Sequence, residues 1–485
     1  MIGITSYGGY IPRYRMNRMV AAQSMSWLFP VMMAVAQGEK SVANWDEDAL
    51  TMAVAAAYDC MKGKDRKSVD GVSLASVSMP YADRQNAGIL STALNVPEAG
   101  VTNADFAASL KAGTTAVISA YEALKAGTRN NILVVASDHR HTKMVTMYEM
   151  FLGDGAGALL LGKDDVIAEI KDYYSYSCDF ADHYKGYGKD YDYTWEERWV
   201  RDEGYAKIIP EAISGYLKKT GMDINSFDRI IFPCYFKREH ANITKKLGVD
   251  PSKVHDNMHE LCGDTGTAHP FIMFISALQE AKPGDKILMA SFGQGCDVIG
   301  FEVTDRINDI KEPLGIKGSL AKRADLANYE KYARFRGLLE ADIGLRGEAY
   351  GQTALTTLWR NRKMILGLVG GKCNKCGTIQ FPAQDICVNP DCHSLHTLED
   401  YEFAGRSGKV LSYTGDLLTA SIDPPGIYGV VTFDEGGRFF CDFTDCALEE
   451  VKVGLPMAMS FRKRKVDNIR GYHGYFWKAF PKSGN

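Results

Sequence analysis

The first 308 residues alternate short apolar runs with amphipathic stretches, and this pattern constrains the fold more than any other feature of the chain. The apolar runs have the length of buried strands, as at residues 70–77, 131–137 and 156–162. The stretches between them have helical periodicity, as at residues 46–62 and 107–126. Strands that alternate with helices predict an α/β fold whose sheets are covered by helices.

Two passages in this region are similar to each other. Residues 130–162 contain ILVVASD and then GDGAGALLLG, and residues 285–303 contain KILMASFGQGCDVIGFEV. Each has a buried strand, a Gly-rich turn and a second apolar strand. Two copies of one βα unit, packed face to face, explain how a chain of this length closes on itself; chance similarity between Gly-rich turns is the alternative.

A length of 485 residues exceeds what one hydrophobic core serves, so we expect two or three domains. We predict an α/β domain at residues 1–308, a helical connector at 309–371, a cysteine ribbon at 372–398 and a β-barrel at 399–485. The connector is charged and has a Leu/Tyr/Phe stripe, which predicts either a helix that docks on a partner surface or a solvated helix.

Residues 173–205 are crowded with Tyr, Asp, Trp and Glu, as in DYDYTWEERW. This composition is too aromatic for a disordered linker. It predicts an insertion that covers the catalytic half of the domain, either as a lid or as a packed surface loop.

The overall composition, 46% hydrophobic and 24% charged, is that of an ordinary globular protein. A formal net charge of -4 gives no reason to expect a nucleic-acid or membrane-surface partner. The apolar stretch at residues 24–37 is interrupted by Pro30 and is shorter than the ~20 residues that span a bilayer. No cleavable secretory signal is recognisable. We therefore expect a soluble protein.

Four of the eleven cysteines stand in metal-binding spacing, and the other seven are scattered through apolar or Gly-rich segments, which fits a reducing cytoplasm. Cys373 and Cys376 are separated by two residues, and Cys387 and Cys392 by four. Two turns that each present a pair of thiolates predict a closed, structural zinc site, with rubredoxin-like iron or a coincidental cluster of cysteines as the alternatives.

After the ribbon, five strand-like runs lie at residues 409–414, 427–434, 438–444, 457–465 and 473–479. Asp434-Glu435-Gly436-Gly437 predicts a hairpin turn between two of them. Five short strands after a ribbon resemble an OB-fold barrel. OB barrels often bind single-stranded nucleic acid, and the basic run at residues 462–465 suits that alternative.

Residues 1 to about 305 resemble the thiolase superfamily and, within it, HMG-CoA synthase and ketoacyl-ACP synthase III. The resemblance rests on four motifs that occur in the family's order: ADFAASLKAGT at residues 104–114, the Gly-rich turn GDGAGA at 153–158, Gly263-Asp264-Thr265, and Ser291-Phe292-Gly293. It implies duplicated α/β/α/β/α layers and an acyl-CoA substrate. The ribbon and barrel resemble the zinc-ribbon partner domain found with thiolases.

Three positions depart from the family pattern. The family's nucleophilic cysteine aligns with Leu110, beside Ser109, and leucine cannot attack a thioester. The family's histidine aligns with Pro233, and its general-base glutamate aligns with Val77. Ser109 has no evident adjacent base, so an acyl-enzyme is not expected at this site.

The departures leave two hypotheses. In the first, the chain makes or breaks a carbon–carbon bond beside a CoA thioester without an acyl-enzyme, as thiolase-like aldolases do. In the second, it is a catalytically silent subunit that pairs with a separate, cysteine-bearing thiolase. For the first hypothesis the candidate catalytic groups are Asp264, His269, Tyr81, Asp83 and His240.

The resemblance also implies binding residues and an assembly. Gly153 and Gly155 of the Gly-rich turn are candidates for contact with the cofactor. Lys463 and Arg464 of the barrel are candidates for contact with the phosphates of CoA, which an acidic chain with an enzyme-like domain favours over nucleic acid. We expect at least a homodimer.

Overall fold

A computed structural model describes residues 1–194, 196–310, 313–341, 354–419 and 421–482. The chain forms two compact units. The first comprises Met1–Ala43, Asp48–Leu90 and Val96–Leu338, and the second comprises Asn44–Glu47, Ser91–Asn95 and the described part of Leu339–Asn485. Among the described residues, no helix is both long and apolar enough to cross a bilayer.

The strands of the first unit, in chain order, are β1 (Gly3–Tyr10), β2 (Tyr14–Asn17), β3 (Glu39–Val42), β4 (Gly71–Ala75), β5 (Thr102–Phe106), β6 (Ile132–Asp138), β7 (Gly155–Gly162), β8 (Ala168–Ser177), β9 (Arg229–Ile231), β10 (Lys286–Phe292), β11 (Gly295–Val303) and β12 (Ala324–Asp325). The helices that accompany them are α1 (Arg18–Met25), α2 (Ala49–Cys60), α3 (Asn86–Ala93), α4 (Ala112–Lys125), α5 (Met147–Phe151), α6 (Glu197–Trp199), α7 (Ala206–Thr220), α8 (Lys237–Lys246), α9 (His259–Cys262), α10 (His269–Leu278), α11 (Gly315–Ala321) and α12 (Tyr329–Phe335).

The main sheet has the strand order β5-β4-β6-β7-β1-β8-β11-β10-β9, and this order is nearly symmetric about its centre. Outward from the β1–β8 contact, one half reads β1-β7-β6-β4-β5 and the other reads β8-β11-β10-β9. The antiparallel hairpins β6–β7 and β10–β11 occupy equivalent places and contain the two similar sequence passages. The predicted duplication is confirmed.

Two helices, α4 and α10, lie between the two halves of the sheet. The helix α10 contacts β7 and β1 of one half and β10 and β9 of the other, and α4 contacts β6 and β11. All ten residues of α10 are buried, which explains why its sequence HPFIMFISAL is apolar around almost the whole circumference. With α2 packed on β1 and β7, and α7 on β8 and β11, the unit has the predicted α/β/α/β/α layers.

The structure divides the predicted aromatic insertion. Residues 173–177 belong to β8 and pair with β11 in the main sheet, so this part of the prediction is wrong. The insertion proper is a loop at residues 178–194, and Trp195 lies outside the described residues. The loop leads into α6, a π-helical turn at Val200–Tyr205, and then α7.

The predicted connector falls on both sides of the boundary between the units. Its first part contains α11 and α12, and Tyr329, Tyr332 and Phe335 are buried inside the first unit rather than presented to a partner. Residues 311–312 and 342–353 of the connector lie outside the described residues. The connector ends in α13 (Leu355–Arg360) and α14 (Arg362–Gly367), which belong to the second unit.

The second unit contains two small sheets. The strands β13 (Val369–Cys373), β14 (Ile379–Gln380) and β15 (Leu398–Glu402) form the ribbon sheet. The barrel strands are β16 (Ser407–Asp416), β17 (Gly426–Phe433), β18 (Arg438–Asp442), β19 (Pro456–Asp467) and β20 (Tyr472–Pro481), in the order β18-β17-β16-β19-β20. A parallel bridge from Phe443 to Ala479 brings the two edges together, so all five predicted strands and the barrel are confirmed.

Candidate functional site

The segment that contains Ser109 and Leu110 forms a tight elbow immediately before α4. Ala108 has a left-handed backbone conformation, with a φ of 66°, and Leu110 is buried. The Ser109 hydroxyl donates to the Gly293 carbonyl at 2.6 Å. A Cβ on Gly293 would lie only 2.7 Å from the backbone nitrogen of Lys111, so glycine is required for this approach. The elbow therefore contains an aliphatic side chain, and its Ser109 hydroxyl is already used in a hydrogen bond.

Two buried thiols, Cys262 and Cys296, carry little nucleophilic character. Burial raises the pKa of the Cys262 thiol to about 12 and also raises the pKa of Cys296. Both thiols therefore stay protonated at neutral pH, and the thiolate is the attacking form of cysteine.

Val77 and Pro233, which we predicted to stand in place of a general base and a histidine, lie in the first unit and have side chains that cannot ionise. The backbone N–H of Val77 donates to Asp138 at 2.9 Å, and Pro233 follows β9 in a half-buried loop. Neither side chain can accept or deliver a proton.

The turn that contains Asp264 is held tightly by backbone hydrogen bonds. Asp264 N donates to Phe151 O at 2.8 Å, and Gly153 N donates to Asp264 O at 2.9 Å. The Asp264 carboxyl accepts from Gly266 N at 2.8 Å. The carboxyl therefore has a fixed position beside the N-terminus of α10.

His269 is brought to the same turn and is bonded at both ring nitrogens. Its Nε2 lies 2.7 Å from the carbonyl of Asn257, and its Nδ1 accepts from the backbone N–H of Thr265 at 3.2 Å. These partners make Nε2 the donor and Nδ1 the acceptor. His269 thus braces the Asp264 turn.

His240 lies on α8, on the wall of a cavity of about 780 Å³ that Lys237, His255 and Asn257 also line. Its ring packs against Phe232 with centroids 4.5 Å apart. Burial lowers the pKa of His240 to about 4, so the imidazole is neutral at pH 7.

Tyr81 and Asp83 lie on the loop between β4 and α3. The Arg84 guanidinium covers the Tyr81 ring, with 4.7 Å from its carbon to the ring centroid, and the Tyr81 backbone N–H donates to the Asn86 side chain at 3.3 Å. Asp83 is exposed. These contacts hold Tyr81 to its own loop and to the start of α3.

Sequence reasoning missed Asp138, which joins several parts of the site. This residue ends β6 and is fully buried. One carboxyl oxygen accepts from the hydroxyls of Ser76 and Ser78 at 2.8 and 2.6 Å, and the other accepts from the backbone N–H of Thr267 at 2.7 Å. The run Asp-His-Arg-His directly after a buried strand was the available signal.

Three buried tyrosines that the sequence did not point to pack against one another near the elbow. The Tyr205 ring lies 4.4 Å from that of Phe292, next to Gly293, and 5.5 Å from that of Tyr235. The rings of Tyr148 and Tyr235 pack edge-on, with their centroids 6.0 Å apart. Burial raises the pKa of all three phenols, and the Asp264 carboxyl raises that of Tyr205 further. They are neutral hydrogen-bond donors at pH 7.

The loop at residues 178–194 contacts the segments that follow β4 and β6. Its Lys185 Nζ donates to the Val77 carbonyl at 3.1 Å, and Tyr184 pairs with Tyr193 as a small antiparallel bridge. Asp192 forms a 2.6 Å ion pair with Arg140, with both side chains almost fully buried. The loop is therefore anchored close to the strand ends that carry Val77 and Asp138.

Two of the candidate cofactor-binding residues lie in the Gly-rich turn of the first unit, and the other two lie on β19 of the second unit. A Cβ on Gly153 would lie 1.8 Å from the Cys262 carbonyl oxygen, and one on Gly155 would lie 2.9 Å from Ile272, so both glycines permit close packing. In the second unit, Lys463 lies on β19, and the Arg464 guanidinium covers the Phe476 ring at 5.7 Å.

The four ribbon cysteines converge as a metal site requires. Their sulfurs all lie within 4.8 Å of one another, with 3.9 Å between Cys373 and Cys392 and 3.5 Å between Cys376 and Cys387. A tetrahedral ion with bonds of about 2.3 Å to sulfur separates the ligands by about 3.8 Å. The hydroxyl of Ser394, with that of Thr397, lowers the pKa of the Cys373 thiol to about 5, which favours the thiolate. The donor set fits a metal ion.

Family models match three parts of the chain. The 3-oxoacyl-[acyl-carrier-protein] synthase III C-terminal model matches residues 217–302. The ChsH2 rubredoxin-like zinc ribbon model matches residues 365–399, and the ChsH2 C-terminal OB-fold model matches residues 401–462. These matches confirm the fused ribbon and barrel.

Solved structures with the same fold include an HMG-CoA synthase complexed with CoA, which is 19% identical and covers 73% of this chain and 94% of its own, with a TM-score of 0.61. Another is the 3-oxoacyl-[acyl-carrier-protein] synthase III of Aquifex aeolicus, which is 19% identical and covers 62% of this chain and 100% of its own, with a TM-score of 0.53.

Sequence relatives agree with the fold. The hydroxymethylglutaryl-CoA synthase of Methanopyrus kandleri is 27% identical over 345 residues, which cover 70% of this chain and 98% of the relative. The hydroxymethylglutaryl-CoA synthase of Methanosarcina barkeri is 30% identical over 347 residues, which cover 69% of this chain and 98% of the relative. With this coverage and the shared layered fold, the chain belongs to the hydroxymethylglutaryl-CoA synthase family.

Proposed function

We propose that this protein binds an acyl-CoA thioester and makes or breaks a carbon–carbon bond beside it, by Claisen- or aldol-type chemistry without an acyl-enzyme. The observation that carries the proposal is Leu110 at the elbow beside Gly293, where the family pattern has cysteine. A leucine at that place removes the covalent step but leaves the scaffold that holds a thioester.

In the cleavage direction, an aldol-type reaction needs a base and donors to the developing enolate. Asp264 takes the proton of the β-hydroxyl group, the Cα–Cβ bond breaks with formation of a carbonyl, and the electron pair passes to the thioester enolate. A proton returned to Cα completes the step. The neutral phenols of Tyr205 and Tyr235 suit the role of enolate donors, since a buried donor is already oriented and needs no reorganisation.

The other candidates take supporting roles in this proposal. His269 is a positioning residue for the Asp264 turn, because both of its nitrogens are occupied. His240 is neutral and serves as a polar wall of its cavity. Asp83, on its exposed loop, is the competing candidate for the base. Asp264→Asn should therefore abolish turnover, while Asp83→Asn should retain it.

A second function has one specific observation in its favour, namely that Leu110, Val77 and Pro233 replace all three of the family's catalytic side chains. Under this alternative the chain is a silent subunit that holds its ribbon and barrel beside a separate, active thiolase. Co-purification from the native host distinguishes the two: a stoichiometric thiolase supports the second function, and turnover of a 3-hydroxyacyl-CoA by the lone chain supports the first.

Both functions predict that the isolated protein forms no acyl-enzyme. Incubation with labelled acetyl-CoA and peptide mass spectrometry should detect no adduct on residues 105–114. Leu110→Cys is the matched control, because it restores a thiol at the elbow and should become labelled. An adduct on Ser109 or Cys178 of the wild type would contradict both functions. Cys178 is included because its backbone N–H donates to the carbonyl of Gln294, which is next to Gly293.

We further propose Zn²⁺ as the ion of the ribbon, where it would hold two chain turns together and would supply no catalytic chemistry. None of the eleven cysteines, all of which lie in the described ranges, forms a disulfide, which supports a reducing, cytoplasmic location. A homodimer remains our expectation for the assembly.

A further inference from the structure

We propose that the outer face of the barrel strands β16, β17 and β18 packs against the same face of a second copy of the chain. The two copies are related by a two-fold axis that lies between the faces and runs at right angles to the strands. This association does not depend on the reaction proposed above.

The outer face is defined by the alternation of side chains along the strands. In β18, Phe439 and Cys441 are buried, whereas Arg438, Phe440 and Asp442 are exposed. The residues of β17 that pair with these three exposed residues are half-buried, and they are Thr432, Val430 and Tyr428. The residues of β16 in the same register are Lys409, Ser412 and Thr414. The face therefore consists of three rows of three side chains.

The middle row of the face is apolar at its centre. The Phe440 side chain is 67% exposed and lies beside Val430. Its ring packs edge-on to that of Tyr428, with the centroids 5.9 Å apart. Leu411, at the bulge of β16, is also exposed. Because exposed aromatic and aliphatic side chains lose water contact when a second apolar surface covers them, this row favours association.

The charges of the face lie at its two ends. Arg438 and Lys409 belong to one outer row. Asp442 belongs to the opposite outer row, and Asp416 follows two residues beyond it on β16. Among the described residues, Arg438, Lys409 and Asp442 have no ion-pair partner. These three charges are therefore available to a partner.

The pattern Arg438-x-Phe440-x-Asp442 makes the face complementary to itself. The two-fold axis passes through the Phe440 row, so each strand runs antiparallel to its own copy. Phe440 then meets Phe440 of the second copy, and Arg438 meets Asp442 of the second copy. Arg438 and Asp442 are about 14 Å apart along the strand, so a charged pair flanks the apolar centre on each side. A two-fold interface requires such self-matching, because both copies contribute the same surface.

The balance of charge favours a second copy over a nucleic acid. Oligonucleotides bind OB folds at the face of the second and third strands, which are β17 and β18 here. A nucleic-acid site needs cations along its whole length to neutralise phosphates. Asp442 and Asp416 would repel phosphates at one end of this face, whereas they attract the cations of a second copy.

The test measures the mass of the full chain in solution by sedimentation velocity and light scattering over a wide range of protein concentration. Arg438→Asp and Asp442→Arg each bring like charges together across the two-fold axis, so each should halve the mass of the wild-type assembly. Phe440→Ala removes the apolar centre and should weaken the association about 10- to 100-fold.

A charge exchange separates loss of the interface from loss of the fold. The double variant Arg438→Asp/Asp442→Arg restores opposite charges across the axis and should recover the wild-type mass. An equimolar mixture of the two single variants should also associate, since one copy then carries only carboxylates and the other only cations. Ile469→Asp, at a 93% exposed side chain in the turn between β19 and β20, is the control and should keep the wild-type mass.

Two results overturn the inference. One is an unchanged mass in both single variants, or no recovery in the double variant and the mixture. The other is that the single variants lose a co-purifying thiolase while the mass of the chain by itself stays the same, which assigns the face to that partner. Neither result bears on the proposed reaction.

Discussion

Asp154 and Arg336, 182 residues apart in the chain, form a 2.6 Å ion pair in the interior of the first unit, with side chains only 1% and 4% exposed. Asp154 belongs to the Gly-rich turn before β7, and Arg336 follows α12. The Asp154 carboxyl also accepts from the backbone N–H of Ala43 at 2.6 Å. The pair thus fastens the end of the first unit to its central sheet.

Loss of this pair should be costly. Asp154→Asn leaves the Arg336 guanidinium buried without its counter-charge, and the removal of one member of a buried pair costs about 3–5 kcal/mol. Urea unfolding should show this loss in the free energy of unfolding. Glu203→Gln, which breaks a pair with Lys207 whose side chains are 47% and 57% exposed, should cost less than about 1 kcal/mol. Similar losses for the two variants would contradict this account.

Stability should fall as the pH decreases from about 6.5 to about 4. Burial lowers the pKa of His240 from 6.5 to about 4 and also lowers those of His255 and His259. In this range the unfolded chain takes up protons that the folded chain does not, so the free energy of unfolding decreases with decreasing pH. His240 alone accounts for up to about 3 kcal/mol.

Urea titrations at several pH values measure this dependence, and His240→Phe, which keeps a ring against Phe232, should reduce it. His396→Asn, at a side chain 68% exposed, should leave it unchanged. If the free energy of unfolding of His240→Phe depends on pH as strongly as that of the wild type, burial does not lower the pKa of His240.

The purified protein should contain one metal ion per chain, bound by the four ribbon cysteines. Cys387→Ser removes a buried ligand and should lose most of the metal, with earlier unfolding of the second unit, because metal binding and folding are coupled. Elemental analysis and thermal unfolding measure both effects, and Cys446→Ser, outside the ligand set, is the control. Absence of zinc and iron from the wild type would refute the ribbon assignment.

Gly153 should not tolerate a side chain. An added Cβ would lie 1.8 Å from a backbone oxygen, which cannot move aside as a flexible side chain can, so Gly153→Ala should cost about 1–3 kcal/mol or more. At Gly186 the nearest atom to an added Cβ is the Lys189 side chain at 3.5 Å, and Gly186→Ala should change stability by less than about 0.5 kcal/mol. Chemical denaturation compares the two, and tolerance at Gly153 would show that the turn can open.

Much of the fold follows from local patterns. The apolar sequence of α10 and the continuous apolar strands β6 and β7 are typical of elements covered on all sides, and the structure buries them. The five barrel strands were predicted within a few residues of their bounds. The division of the aromatic insertion between β8 and a loop was not predicted. The Tyr-rich end of β8 lies partly exposed at the sheet surface and has the composition of a loop.

The candidate site was predicted less completely. Asp264 and His269 share one turn because they are close in sequence. Arg140 and Asp192 are 52 residues apart, and no local periodicity relates them. The convergence of Tyr148, Tyr205 and Tyr235 likewise depends on the packing of three separate segments.

The amino-acid sequence by itself determined the layered α/β architecture, the four clustered cysteines of the ribbon and the leucine at position 110 on which the proposed function rests, since each of these is a matter of residue identity or short-range spacing. Only the tertiary structure decided which buried charges and phenols meet: that Asp138 receives donors from separate segments, and that Asp192 orients Arg140. The physical reason is that such contacts form between groups distant along the chain, and their energies depend on burial and direction, which no local pattern encodes.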